Sequence, residues 1–581
     1  MKYRPRLVLR QLILFVLVGM LGVVSSVRAE ELKAGAVGEP LHLAQSIFRT
    51  GTLPSGEPVQ ARVFGTVAAG SKVACVNCHL RSGLGTMLDG EILVRPVSGA
   101  RLYAPLLVQK EIPGDAMKRT MFENPRPAYT DETLAAAFLT GKDPTGRSLN
   151  EAMPRFLLDS KSAQAMVAYL KNLSTTPSPG VTEEEIRFAT ILAEDVSAAD
   201  RDALLRPLNA FLEEEWNARL SVFAEKSRDG LMVLGQPADM SQSQKGLPLE
   251  EKRYRRAVLD VWQLKGPSST WTGQLESFYG RQPVFAILSG LAPGKWTPIH
   301  EFCEKNKIPC ILPVTDLPAL AENDWYTLYF SKGLHLEGEV AARFLALDAG
   351  LPSDTPVIQI SRSTDEGSVL VRSFAETWKT VSAASLKTVT LNPGERTGGD
   401  FWKKLAAAHP RAVLVAWLGG VDLAGIEAIA EANQSPALFL SATLLGEDLP
   451  ALPEGIREFT YVAHPGRLPG DGDYTESIVS SWLHFKGIPV SNMRIASKVF
   501  VLKSLLSSAL VEMADDYYRD FLLDILDSNM EKRTASVTYP ALSFGPGDRY
   551  AAKGCYVVQL APGDRPRLIK KADWLYYASK K

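Results

Sequence analysis

The chain has 581 residues, 46% hydrophobic and 22% charged, with a formal net charge of −1. That length exceeds a single hydrophobic core and predicts two or three domains. The near-neutral balance leaves no electrostatic footprint for nucleic acid, and the composition is that of an ordinary globular protein.

The N-terminus reads as a targeting segment. Lys2, Arg4, Arg6 and Arg10 precede an uncharged apolar run, Leu12 to Val24, and Val27-Arg28-Ala29 is a small-residue cleavage site. This pattern predicts a signal peptide over residues 1–29 and export to the periplasm. The alternative is an uncleaved anchor, for which the run is short. Cleavage leaves 59 basic against 65 acidic groups, a balance of −6, and no later stretch suited to crossing a membrane.

Residues 41–50 read as a short helix, closed by the turn Gly51-Thr52-Leu53-Pro54-Ser55-Gly56. The most specific stretch follows: Cys75-Val76-Asn77-Cys78-His79, the C-x-x-C-H pattern of c-type haem attachment. Two thiols at this spacing can each add across one haem vinyl group, and the adjoining imidazole can ligate the iron. A thioredoxin-like pair would not call for the histidine. A zinc site needs a second ligand pair nearby, whereas the next cysteine is Cys303. The expectation is one covalent haem c, held by Cys75 and Cys78 with His79 as proximal ligand. For the opposite axial position the methionines are Met87, Met117, Met121, Met153 and Met166. Met117 and Met121 share a helix face, Met166 sits at core spacing, and Met87 lies too near His79. Met153, in a loop and restrained by Pro154, is the expected ligand.

Gly51-x-x-x-x-Gly56-x-Pro58, the Cys75–His79 motif with its glycine-rich follow-on, and Met153-Pro154 ahead of Tyr169-Leu170 together resemble a class I cytochrome c domain over residues 37–175. The resemblance implies an all-α fold around one low-spin haem that passes single electrons. Met153 lies 74 positions after His79, with an insert around Val94–Arg126. Iron ligated on both axial faces would carry electrons rather than catalyse at the metal.

Residues 176–183 begin with Thr176-Pro177-Ser178-Pro179-Gly180 and read as a linker. From 184 to 581 short apolar strands alternate with amphipathic helices. Strands are expected at Ile186–Leu192, Tyr326–Phe330, Pro356–Ile360, Leu386–Leu391, Ala412–Trp417 and Ala437–Leu440. Helices fall between them, for example Thr297–Lys305, Leu336–Asp348 and Gly367–Lys379. This beat predicts parallel sheets covered on both faces, divided between two α/β lobes. Residues 225–265 are unreadable, with a loop suggested at Ser241–Gln244, and Arg549–Tyr577 is strand-like. Cys303 and Cys310 suit either a disulfide or small buried core positions.

Pro283–Gly290 followed by Trp296–Phe302, then Asn306–Pro313, Thr327–Ser331, Ala412–Gly420 and Phe544-Gly545-Pro546-Gly547-Asp548 resemble a type I periplasmic solute-binding protein of the branched-chain amino-acid receptor kind. The resemblance implies a two-lobed periplasmic-binding-protein fold that closes on a small molecule. It places Ser289, Gly290, Trp296, Thr315, Ser361, Asp365, Trp417 and Asp422 along the cleft, with Asp365 and Asp422 able to face an ammonium group. The loop Leu291–Lys295 departs from the hydroxyl-rich loop of amino-acid receptors. Gly-x-Ser-x-Gly and His-Glu-x-x-His are absent, so no enzyme is expected. The reading is a periplasmic electron-transfer protein: a haem, iron-carrying, metal-binding cytochrome c fused to a solute-binding module, which binds a small molecule or docks a redox partner such as a quinoprotein dehydrogenase. The alternative is a transport or sensing receptor in which the haem is ancillary.

Overall fold

The computed structural model describes residues 41–576, apart from 89–91, 107–124, 219–254, 322–323, 433–434, 472, 514, 534–535, 546 and 564–565. The leader, Met117, Met121, most of the expected insert and the Ser241–Gln244 loop lie outside these residues. The chain divides into two compact units, with a break between Pro177 and Ser178.

In the first unit residues 41–50 are helical. Strands β1 (Gln60–Val63) and β2 (Thr66–Ala69) form an antiparallel hairpin, and β3 (Arg155–Phe156) adds to the other edge of β1. The motif forms the single turn α1 (Val76–His79), followed by α2 (Asp131–Thr140) and α3 (Ser160–Asn172). Thr130 caps α2 through a capping box with Thr133, and Gly141 ends it in a left-handed conformation. One core gathers Ile47, Phe48, Leu134, Phe138 and Met166. The expectation of an all-α domain is therefore corrected. Residues 60–69 alternate around the turn Phe64-Gly65, so they pair as a hairpin instead of coiling.

The second unit holds two sheets. The first is wholly parallel, built from β4 (Glu185–Ala193), β5 (Arg256–Leu264), β6 (Ala286–Leu291), β7 (Cys310–Ile311), β8 (Thr327–Ser331) and β14 (Tyr550–Ala552), in the order β5-β4-β6-β7-β8-β14. The second takes β9 (Val357–Arg362), β10 (Leu386–Leu391), β11 (Val413–Trp417), β12 (Leu438–Ser441), β13 (Thr460–His464), β15 (Gly554–Leu560) and β16 (Leu568–Tyr576). Its order is β10-β9-β11-β12-β13-β15-β16, with the last two strands antiparallel. Strand β11 is buried along all five residues, as a parallel strand covered on both faces must be. The helices supply that cover. On α8 (Asp365–Val381) Val369, Leu370, Phe374 and Trp378 form one buried stripe, and Thr364 caps its start by accepting from Gly367 N–H at 3.1 Å. Strand β5, in the stretch unreadable from sequence, pairs with β4 over nine residues.

The chain passes between the two lobes three times: from β8 into α7 (Leu334–Leu347), which packs on the second sheet; from β13 back to α10 (Asp473–Phe485); and from β14 into β15. Gly333 makes the first crossing at φ 55°, where a Cβ would lie 2.2 Å from the Asp316 carbonyl oxygen.

Helix α11 (Met493–Met513) leads to α12 (Arg519–Arg533), whose first residue is a buried cation. Arg519 donates to the carbonyls of Phe285 (3.0 Å), Val284 (2.6 Å), Asn306 (3.2 Å) and Lys307 (3.0 Å), and to the Tyr279 hydroxyl (3.2 Å). One side chain thereby fastens the C-terminal helices to the base of the first sheet. Replacing Arg519 by Met should cost about 3 kcal/mol, because several buried carbonyls lose charged donors. Urea unfolding checks this, and a midpoint within error of the parent would refute it.

Candidate functional site

Both sheets reverse strand order once, at β4/β6 and at β9/β11, and open α/β sheets form ligand crevices at the carboxyl ends of such strands. In the first lobe this edge is irregular. Ser289 stands at φ 55° and Gly290 at φ 144°, beside a register shift in the β4–β6 pairing. The Trp296 ring comes so close that a Cβ on Gly290 would lie 2.8 Å from it. Trp296 is fully buried, and its indole N–H has no partner among the described residues. The Thr315 hydroxyl accepts from Leu317 N–H at 3.1 Å and shapes the loop before the first crossing.

In the second lobe an open depression of about 640 Å³ lies where β9, β10 and β11 end. Arg362, Thr364, Pro393, Arg396, Val421 and Asp422 contribute to its wall. Arg362 is the brace: it holds Asp422 through two bonds (2.7 and 2.6 Å) and donates to the carbonyls of Asn392 (3.0 Å) and Glu395 (2.7 Å). Just past Thr364 the two lobes are bridged. Lys295, in the loop after β6, meets Asp365, at the start of α8, at 2.7 Å. Each side chain is about half exposed (48% and 47%), so the pair contributes at most about 1 kcal/mol.

Of the cleft residues expected from sequence, Ser361, Asp365, Trp417 and Asp422 gather at the β9/β11 end, and Ser289, Gly290, Trp296 and Thr315 at the β6/β7 end. Asp365 and Asp422 each already have a cationic partner within the chain. The two tryptophans are packing groups: Trp296 sits in the first lobe's core, and Trp417 donates to Gln359 at 2.7 Å beneath Phe374 and Phe439.

Sequence reasoning included Lys295 and Arg362 in its cleft loops without giving either a role, and it passed over Glu337. Glu337 lies on α7, just past the first crossing, and is fully buried. One carboxylate oxygen accepts from the Thr443 hydroxyl, with Ser441 alongside, while the other has no partner among the described residues. Burial raises its carboxyl from the ordinary 4.5 to about 7; the Ser441 and Thr443 bonds oppose that rise, and the charge of Asp316 in the first lobe adds to it. Nothing local in the sequence marks this residue, since a helix bearing one glutamate among apolar neighbours is ordinary.

In the first unit, His79 Nδ1 donates to the Arg95 carbonyl oxygen at 3.0 Å, which leaves Nε2 as the unprotonated nitrogen. Burial lowers this imidazole to about 4, although the bond to Arg95 works the other way. The Cys75 thiol is pushed up to about 12, chiefly by burial, so it is no thioredoxin-type thiolate. Met153, half-buried, and Cys75 pack against the same core. Met153's carbonyl accepts from Arg155.

No family model matches the sequence, and no curated protein does. Solved structures do. A putative branched-chain amino acid ABC transporter from Rhodospirillum rubrum matches at 15% identity, covering 66% of this chain and 100% of its own, with a TM-score of 0.46. A periplasmic binding protein type 1 from Bordetella pertussis matches at 13%, covering 67% and 100%, with a TM-score of 0.45. A solute-binding protein from R. palustris in complex with benzoate matches at 13%, covering 68% and 98%, with a TM-score of 0.42. The two-lobed α/β architecture is independently legible in the strand orders above.

One expectation is corrected here. The sequence reading characterised the chain as an iron-carrying, metal-binding cytochrome. Among the described residues no group of three or more His, Cys, Asp or Glu side chains could hold a metal ion. The metal-binding, electron-transfer characterisation is withdrawn, and what the structure shows in its place over the second unit is a two-lobed α/β fold. Among the described residues no helix is long and apolar enough to cross a membrane.

The Glu337 geometry has a definite pH consequence. Its folded value lies above the unfolded one, so its contribution favours the fold below about pH 4.5 and is lost as pH rises to about 7. The loss amounts to about 3 kcal/mol. Glu337→Gln should remove this slope and exceed the parent in stability above pH 7. Urea midpoints between pH 4.5 and 8 measure it; parallel curves for the two proteins would refute it.

Proposed function

We propose that the second unit is an extracytoplasmic receptor for a small organic solute bearing a carboxylate. The observation that carries this reading is the depression at the carboxyl ends of β9, β10 and β11, next to the point where Lys295 and Asp365 join the lobes. Arg396 and the Thr364 hydroxyl favour an anionic group, while Pro393 and Val421 offer an apolar wall. Arg362 keeps the loops preformed. Closure of the lobes on the solute would bring Lys295 over the same site, and opening would break only a half-exposed ion pair. A thermal-shift screen followed by calorimetry, with aliphatic and aromatic carboxylates and amino acids, tests the proposal. A carboxylate should raise the melting temperature by several degrees, with at least tenfold weaker binding in Arg396→Ala. The absence of any shift across the series would end it.

A separate inference concerns the cofactor of the first unit. Cys75 and Cys78 are suited to thioether attachment of one haem c, with His79 and Met153 as its axial residues. The supporting observation is the His79–Arg95 bond, which fixes the tautomer a ligating imidazole needs. A porphyrin brings four nitrogens of its own, so this site does not need the side-chain cluster that a protein-held ion requires. Protein exported from a host with haem-attachment machinery should show a c-type absorption spectrum that persists after denaturation, and Cys75→Ala/Cys78→Ala should be colourless. Colourless parent protein with both thiols free would overturn the assignment.

A further inference from the structure

Cys303 and Cys310 lie in the first lobe, far along the chain from the motif cysteines, and neither enters the site described above. Cys303 stands in the last turn of α6 (Thr297–Asn306), and Cys310 opens β7. The chain between them folds back tightly. Lys307 ends the helix in a left-handed conformation at φ 52°, its N–H bonding back to the carbonyls of Cys303 and Glu304. Ile308 N–H reaches the Cys303 carbonyl at 2.9 Å, and the Pro309 carbonyl accepts from Ile287 N–H at 2.7 Å. This turn returns Cys310 to the side of Cys303. Both side chains are fully buried in one core with Phe302, Ile308 and Tyr329. The two thiols are near enough that the neighbouring Cys310 adds to burial in raising the Cys303 thiol. Cys555, equally buried, lies in a different core, that of the second lobe.

We propose that Cys303 and Cys310 are a disulfide-forming pair that locks the α6–β7 turn when the chain matures in an oxidising compartment. The carbonyls of Asn306 and Lys307, inside the closed loop, are those to which Arg519 is anchored. The bond therefore stiffens the platform on which the C-terminal helices dock.

The oxidant is a disulfide-exchange partner, RS–SR. The Cys303 thiolate attacks one of its sulfurs and expels RS⁻. The Cys310 thiolate then attacks the mixed disulfide and expels the second RS⁻. Each leaving thiolate takes up one of the two protons lost by the protein, so two protein thiols and RS–SR become one protein disulfide and two RSH. Burial raises the Cys303 thiol well above its usual value and excludes a reagent of this size, so the exchange belongs to the folding chain, before the lobe closes. The loop is short, which makes it accessible early.

The test uses the full chain, exported or refolded in oxidised glutathione without reductant. Free thiols are alkylated under denaturing conditions, then all disulfides are reduced and a second alkylating label is added before peptide mass mapping. Cys303 and Cys310 should carry only the second label, and the unreduced peptide pair should be 2 Da lighter than its dithiol. Cys555 should carry only the first label, which controls for incomplete unfolding. Dithiothreitol should lower the melting temperature by several degrees in the parent and leave a Cys303→Val/Cys310→Ala variant unmoved. Cys303 and Cys310 carrying the first label as fully as Cys555 would overturn the proposal, as would a melting temperature indifferent to reductant in the parent.

Discussion

A parallel sheet has no dry face of its own and must be covered twice. That constraint organises most of this protein. The central strands of the second unit, such as β6, β8, β11 and β12, are short apolar runs because both of their faces are covered, and a covering helix such as α8 carries one apolar stripe. Since parallel strands all end on the same edge, their loops collect there. Two such edges, one per sheet, supply the residues that meet at Lys295 and Asp365. Three crossings then tie the lobes while leaving few residues to bend between them. Gly333 shows how tight one crossing is, since no side chain fits beside the Asp316 carbonyl.

The buried charges of this unit divide into two kinds. Arg519 is fully employed: its guanidinium serves four carbonyls and a hydroxyl, and it joins segments more than two hundred residues apart in the chain. Arg362 is similar on a smaller scale, bracing two loops and a carboxylate. Glu337 is the opposite case. Its carboxyl is buried with hydroxyl partners on one oxygen, none on the other among the described residues, and a like charge from Asp316 nearby. Such a group weakens the fold when ionised, and it sits beside a crossing rather than in the middle of a core.

The first unit is built differently. It has little sheet, and its core is made by residues 41–50, α2 and α3. The short turn of the motif is held from outside by hydrogen bonds: Asn77 Nδ2 to the Ser71 carbonyl at 2.7 Å, and His79 Nδ1 to the Arg95 carbonyl at 3.0 Å. The imidazole is therefore oriented by backbone sixteen residues away.

Much of the second unit was legible in the linear chain. Leu386–Leu391 is a strand at the predicted limits, and Val413–Trp417 and Thr297–Asn306 fall within one residue of expectation, because β-branched and aliphatic runs and amphipathic stripes are local signals. Strand β5 was not legible, since its burial alternates irregularly and its place follows from pairing with β4. The hairpin in the first unit was missed for a related reason: pairing partners, unlike periodicity, are not written in one segment. The sequence by itself determined the motif cysteines, the alternating α/β pattern and the candidate loops, all of which depend on neighbours a few positions apart. Only the tertiary structure decided that Asp365 is held by Lys295, Asp422 by Arg362, and that Glu337 is buried. Ion pairing and desolvation depend on groups brought together from distant parts of the chain, and no local pattern encodes them.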